Sequence, residues 1–181
     1  MSPWRSSTAG VGLDAQALAH DGRVLPRAED RWTAAGLEQA LAAAALPPGC
    51  RRLRVLVAPD LCRHFVLDPP LGLARFEELR ELAAVRAAQL YGSEPLEVAA
   101  DWQLGGPFAC AVLPASLRAA LQAAARALRL ALAVESAALA GLQQAAAHAA
   151  GGFVGWAMPG HAVAALVDGA RVLALRCARR P

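Results

Sequence analysis

From Ser136 to Val167 the chain contains no aspartate, glutamate, lysine or arginine, and a run of that length without charge must either cross a bilayer or be wrapped in other protein. Its interior argues against crossing. Gln143, Gln144 and His148 interrupt the first half, Gly151-Gly152 divides the run, and Pro159-Gly160 breaks the second half. No stretch of about 20 apolar residues survives, so no membrane span is expected. The same residues read as a buried helix followed by strands. Glu135-Ser136 starts a nearly all-alanine helix, and its lack of a polar face implies burial between other elements. Strands are expected over 153–158, 162–167 and 172–177, the last two joined by a turn at Asp168-Gly169.

Upstream, the pattern alternates between strand and helix. A hairpin is expected with one strand over 11–19, a turn at His20-Asp21-Gly22 and a return over 23–25, because Asp-Gly supplies the positive φ that a tight primed turn needs. Thr33 is placed to cap a helix running to Leu46, ended by Pro47-Pro48-Gly49. Two short strands, 53–58 and 62–67, follow without an intervening helix, which suggests an antiparallel or mixed sheet. A helix over 74–91 presents Phe76, Leu79, Ala83 and Leu90 on one face and stops at Gly92. Strands over 98–104 and 108–113 flank Gly105-Gly106-Pro107. Pro114 then opens an amphipathic helix to about Leu130, with Leu117, Ala120, Leu121, Ala124 and Leu128 on the apolar stripe and Arg118, Gln122 and Arg129 opposite. A short strand over 130–134 leads into the charge-free run.

A chain of 181 residues corresponds to about one domain and can bury roughly two-thirds of its unfolded surface. Cys50, Cys62, Cys110 and Cys177 match neither a redox pair nor a zinc ribbon in their spacing, and read as buried free thiols. Met1 to Arg5 lead into no apolar stretch, so no secretory signal is expected and a reducing cytoplasm fits both observations. All 18 basic residues are arginine, and lysine, asparagine and isoleucine are absent. These three share AT-rich codons, so the arginine bias reflects a GC-rich genome. The arginines are spread among the acids, and no nucleic-acid footprint is expected.

Residues 17–25 echo residues 164–173 around their Asp-Gly pairs, which suggests two halves that each open with a hairpin. Together with the order of elements, the segment Arg54-Val55-Leu56-Val57-Ala58-Pro59-Asp60, the helix ending Gln89-Leu90-Tyr91-Gly92 and the run Val134-Glu135-Ser136, the chain resembles the cytoplasmic actin-like assembly proteins of type IV pili and type II secretion, the PilM and GspL families. The resemblance covers residues 10–178. It implies an α/β (α+β) chain with a ribonuclease-H-like, actin-like mixed sheet, flanking helices and a truncated second half. The expected division is a tail over 1–9, a first subdomain over 10–134 and a partial second subdomain over 135–181.

Val11-Gly12-Leu13-Asp14 resembles the start of that family's first phosphate loop, but Ala15-Gln16-Ala17 continues it without the glycine that lets amides approach a phosphate. Pro159-Gly160-His161-Ala162 stands where a second loop belongs and has neither its aspartate nor its glycines. No lysine exists for a Walker loop or a Schiff base. Asp14 and Asp168 as paired acids, and Cys62 with His64 as metal ligands on one strand face, are each weighed and set aside: the first lacks the glycines, the second any further ligand pair. Ser136 beside Glu135 marks a helix start. Gly105-Gly106 and Gly151-Gly152 are expected to be turns. Glu77, Glu78 and Glu81 form a solvated helix face, or a docking patch for a basic segment. Arg176, Arg179 and Arg180 form a solvated tail, or touch anionic lipid.

No catalytic, cofactor or metal residue is therefore assigned. The expectation is a non-catalytic cytoplasmic scaffold or adaptor of a pilus or secretion platform, peripheral at the inner membrane. It binds protein, namely the cytoplasmic tail of a single-span membrane protein. The alternatives are an actin-like nucleotide-binding ATPase and an unrelated α/β interaction domain.

Overall fold

The computed structural model describes residues 8–29, 31–73, 75–92, 94–102, 105–147, 151–158, 160–169 and 171–180. Three strands open the chain: β1 (Thr8–Leu13), β2 (Ala17–His20) and β3 (Arg23–Pro26). The single strand expected over 11–19 is two strands, because Asp14 turns the backbone between them, its carboxylate accepting from the amides of Gln16 and Ala17 at 2.7 Å each. Between β2 and β3, Asp21 and Gly22 have φ of +46° and +76°, the primed geometry that the Asp-Gly pair calls for.

Helix α1 (Ala34–Ala43) is capped by Thr33, whose hydroxyl accepts from the Gly36 amide. It ends three residues earlier than expected, with Ala45 in the left-handed region. Strand β4 (Arg52–Val57) then lies parallel to β1, in register from Thr8↔Arg52 to Leu13↔Val57. On its far side it takes β8 (Ala131–Ser136), also parallel. The five-stranded order is β3-β2-β1-β4-β8. Helices α1 and α3 (Ala115–Ala127) share a core with this sheet in which Val11, Leu13, Val55 and Val57 meet Leu37, Leu41 and Leu121.

Everything between β4 and α3 is an insertion with its own sheet. Strand β5 (Arg63–Leu67) does not pair with β4, although it follows closely in sequence. It joins β7 (Phe108–Pro114) and β6 (Leu96–Ala100) in the order β5-β7-β6, antiparallel throughout. Helix α2 (Phe76–Tyr91) packs on that sheet rather than on the main one, through Leu79, Ala83 and Ala87. Phe76 and Leu90, expected on its buried stripe, are exposed. Gln103, Leu104 and Ala74, included in the expected strand and helix, lie outside the described residues. Arg118, expected on the solvent side of α3, reaches across to Glu97 at 3.4 Å.

Helix α4 (Ala137–Ala146) leads to a third sheet, β11-β10-β9, formed by β9 (Gly151–Met158), β10 (His161–Asp168) and β11 (Arg171–Arg179). Gly151-Gly152 is not a turn. Both residues belong to β9 and pair with Asp168 and Val167, at φ of +152° and +99° that suit glycine. The Asp21-Gly22 and Asp168-Gly169 hairpins therefore sit in separate sheets, each closing the second and third strands of a three-stranded meander. The fold class is the expected mixed α/β. The single mixed sheet of the expectation is resolved into one mixed and two antiparallel sheets.

Helix α4 was expected to be buried all round. Ala138 and Leu142 are buried, and its remaining faces are partly open. It rests on β9 through a close approach at Gly141, where a Cβ would fall 2.2 Å from the Trp156 indole nitrogen. Gly141→Ala is thus expected to push α4 off β9 and to destabilise the chain by about 1–3 kcal/mol, the usual range for overpacking. Gly10→Ala, with nothing within 4 Å of its new methyl, is the control. Urea midpoints for the two variants check this, and equal midpoints would show that the contact does not constrain the helix.

Candidate functional site

The three sheets meet at a cleft of about 570 Å³ bordered by β6, β7, the β8–α4 junction, β10 and β11. Its walls are mainly alanine, leucine and valine. Polar groups come from Asp101, Glu135, Ser136 and Gln143, with the Gln143 amide donating to Asp101 at 2.6 Å. No basic residue lines it among the described residues. An apolar trough with two carboxylates, of which Glu135 is paired with Arg54, suits an uncharged or weakly basic peptide segment.

Ser136 stands at the edge of this cleft and of a smaller one beside Glu97 and Arg118. It is the last residue of β8 and the cap of α4, its hydroxyl accepting from the Leu139 amide at 3.2 Å. This agrees with its reading as a helix start. Glu135 beside it forms a two-point ion pair with Arg54 of β4, Nε to Oε1 at 2.8 Å, and the pair raises the Arg54 pKa.

A partly buried polar network runs from the same serine. His64 on β5 places Nε2 2.6 Å from Ser136 Oγ and Nδ1 3.6 Å from Cys177 Sγ on β11, while Tyr91 of α2 donates to the His64 carbonyl at 2.7 Å. The network closes with either tautomer: the serine donates to Nε2 and Nδ1–H points at sulfur, or Nε2–H points at the serine and the thiol donates to Nδ1. Burial pushes the imidazole down to about 4, so the ring is neutral at pH 7. Burial likewise pushes Cys62 up to about 12 and Cys177 up to about 11, which keeps both as thiols, inert as nucleophiles. Cys62 and His64 both approach Ser136. Among the described residues no group of three or more ligands stands ready for a metal. Cys177 and Ser136 lie 113 and 72 residues from His64, and no local sequence signal links them.

The turn that resembles a phosphate loop is occupied by carboxylates of the chain itself. Asp14 Oδ1 takes the amides of Gln16 and Ala17, and Asp60, reaching over from the end of β4, takes the Ala15 amide at 3.0 Å. Three successive N–H groups that an incoming phosphate needs are committed, and two negative charges stand in its way. The Asp14 carbonyl accepts from Trp32 Nε1 at 2.7 Å, which fixes the turn to the chain before α1. Asp168 lies in another sheet and shares no hydrogen bond or ion pair with Asp14. Of the second loop, Pro159 lies outside the described residues, and His161 is a buried strand residue opposite Met158 and Arg179.

The remaining candidates are peripheral. Glu77, Glu78 and Glu81 are exposed on α2, and Arg176, Arg179 and Arg180 are exposed along β11 and its end. Gly105 and Gly106 lie in the β6–β7 connection, as expected of a turn. Among the described residues no helix is long and apolar enough to cross a membrane.

No family model matches the chain, and no curated protein matches it. Solved structures do. The cytoplasmic domain of EpsL, an inner-membrane component of the type II secretion system of Vibrio cholerae, superposes with a TM-score of 0.55 at 12% identity, over 95% of this chain and 71% of that one. A Bacteroides thetaiotaomicron protein with an actin-like ATPase fold superposes at 0.54 and 11% identity, over 99% and 74%. The fold is actin-like. The PilM-PilN type IV pilus biogenesis complex gives 0.62 at 18% identity, over 97% of this chain. Here the chain spans 62% of the length of the protein it matches. The resemblance read from element order is thus met at the level of fold by members of both named groups.

A pH dependence follows from the His64 network. Unfolded, the ring takes up its proton near 6.5, and folded only near 4. The contribution of the neutral ring is therefore complete above about pH 6.5 and drains away as pH falls towards 4. Between pH 7 and pH 5 the chain is expected to lose on the order of 1–2 kcal/mol from this residue. Denaturant midpoints of the wild type and His64→Gln at the two pH values check this: the variant starts lower at pH 7 and falls less. Equal pH slopes would show that His64 does not carry the effect.

Proposed function

We propose that the chain is a non-catalytic scaffold at the cytoplasmic face of an inner-membrane pilus or secretion platform, peripheral to the membrane, and that its partner is the cytoplasmic tail of a single-span membrane protein. The observation that carries the non-catalytic part is the turn at Asp14. With the amides of residues 15–17 held by Asp14 and Asp60, the loop offers a nucleotide phosphate no donor. The cleft, with carboxylates and no described base, offers no replacement. The platform part is supported by a fold shared with the EpsL cytoplasmic domain and with the PilM-PilN complex. On this reading residues 10–134 form one subdomain carrying the β5-β7-β6 insertion, and residues 135–181 form part of a second.

An extended tail fits the cleft because α4 on one side and β6 and β7 on the other supply apolar walls, while Asp101 and Gln143 at the polar positions set its register. Such an interface is specific at modest area when a few anchors fill pockets.

Two measurements follow. Millimolar ATP with magnesium is expected to leave the melting temperature unchanged, since only a ligand of the native state raises it. A rise of several degrees lost on Asp14→Ala would assign the chain to the nucleotide-binding class instead. Co-expression with the cytoplasmic tails of single-span proteins encoded beside it is expected to yield a co-purifying tail. Ala140→Arg, in the cleft wall, should reduce that yield at least tenfold without shifting the melting temperature. A gene with no pilus or secretion neighbours, and no tail that binds, would leave an adaptor of another pathway.

A further inference from the structure

The parallel strands of the main sheet all start at one end, and the two helices packed on them finish there. Strands β1, β4 and β8 run in register from Thr8, Arg52 and Ala131, while α1 returns the chain to β4 and α3 returns it to β8. The two crossings finish side by side, the Ala131 amide donating to the Arg51 carbonyl at 2.8 Å. Arginines that the sequence spreads out are gathered at this end. Arg51 and Arg52 lead into β4, and Arg126 and Arg129 lead out of α3; all four are exposed. Among the described residues none of the four guanidinium groups has an ion-pair or hydrogen-bond partner.

No aspartate or glutamate occurs over residues 39–59 or 114–134, so neither crossing brings a counter-charge. The β2–β3 turn at the same end carries Asp21, which Arg23 offsets. Exposed Pro47 and Pro48 and half-buried Leu46 stand in the loop just before Arg51, and residues 43–54 and 122–133 include no aromatic side chain. The turns here are closed by their own backbone, the Cys50 amide donating to the Pro47 carbonyl at 3.0 Å and the Leu130 amide to the Ala125 carbonyl at 2.8 Å. These are strand beginnings and helix ends joined by loops, so no sheet edge waits there for a further strand. Both clefts lie at the opposite ends of the same strands, beside Val57 and Ser136.

We propose that this end of the main sheet is the face the chain lays against a bilayer of anionic phospholipid, with Arg51, Arg52, Arg126 and Arg129 meeting lipid phosphates and Leu46, Pro47 and Pro48 resting at the headgroup boundary. A guanidinium offers a phosphate two parallel donors, and a cluster of four is the number at which an anionic leaflet begins to hold a basic surface. Lipid phosphates diffuse laterally to wherever the charges stand. A folded partner must instead match a surface shape, and single-stranded nucleic acid gains much of its affinity from aromatic stacking, which this end lacks. The contact rests on the peripheral location proposed above and names the face that makes it. It holds the cleft about 20 Å from the lipid, the length of the six-residue strands between them, so a tail leaving the bilayer crosses that distance before it docks.

The test mixes the whole chain with vesicles of phosphatidylglycerol and phosphatidylcholine in equal parts, or of phosphatidylcholine alone, and measures the bound protein by sedimentation. Binding is expected to the first and not to the second, falling at least tenfold between about 0.1 M and about 0.5 M salt as the charges are screened. At roughly fivefold in affinity per arginine, the triple variant Arg51→Gln, Arg126→Gln, Arg129→Gln should bind at least tenfold more weakly with an unchanged melting temperature. The matched triple on β11 and its end, Arg176→Gln, Arg179→Gln, Arg180→Gln, should bind as the wild type does. Equal losses in the two triples would reduce the effect to net charge and overturn the proposal. A loss confined to the β11 triple also overturns it, leaving the peripheral location standing with another face. Wild-type chain that ignores anionic vesicles while a tail still co-purifies sinks this face and spares the platform reading. Release from vesicles by millimolar inorganic phosphate at constant ionic strength would make the ligand a free anion, and tighter binding to duplex DNA than to vesicles, lost in the first triple, would make it a nucleic acid; either result overturns the proposal.

Discussion

Six successive residues of β7, Phe108 to Leu113, are buried on both faces of the strand, and the three hydrophobic cores meet through them. Phe108, Cys110 and Val112 face α2 in the core of the insertion. Ala111 and Leu113 enter the core of the main sheet, and Ala109 enters the core beneath β10 and β11. A strand buried on two sides tolerates no charge, and its small residues let neighbouring sheets approach closely. The Val172 amide donates to the Pro107 carbonyl at 3.1 Å just before β7 begins, so the third sheet is tied to the same strand by backbone as well as by packing. With β7 in place the cleft acquires its floor, and β5 is carried to where His64 reaches Ser136.

Polar groups complete what β7 begins. His64, Ser136 and Cys177 belong to the insertion, the main sheet and the third sheet respectively, so one neutral, hydrogen-bonded cluster ties all three. Buried groups of this kind stabilise an arrangement only when each is satisfied. Here the serine also caps α4, which fixes the direction in which that helix leaves β8. The Arg54–Glu135 pair does the same work at the surface of the β4–β8 seam, where solvent screening leaves it a small share of the energy.

Electrostatics also shape the turn after the first strand. An actin-like sheet presents a turn after its first strand, and a phosphate site there depends on free amides and a net positive field. In this chain Asp14 and Asp60 supply the turn's hydrogen bonds internally. The result is a turn with the amides of residues 15–17 engaged within the chain, and the cleft has apolar walls and two carboxylates.

The sequence by itself determined what depends on neighbours in the chain. The Asp-Gly turns, the Thr33 and Ser136 caps, the stripe of α3 and the stop at Gly92 are local effects of φ, capping and periodicity, and each is legible from a few adjacent residues. Order of elements, together with the segments 54–60, 89–92 and 134–136 and the echo of residues 17–25 in 164–173, was enough to reach the actin-like class. Where local reading failed, a distant partner decided: β5 abandons β4 for β7, α2 turns a different stripe inward, and Gly151-Gly152 is drawn into a strand because β10 lies beside it. The cleft and the His64 network belong wholly to the tertiary structure. Their parts come from segments tens of residues apart, and strand pairing between such segments is set by total burial across sheets, which no window of sequence contains.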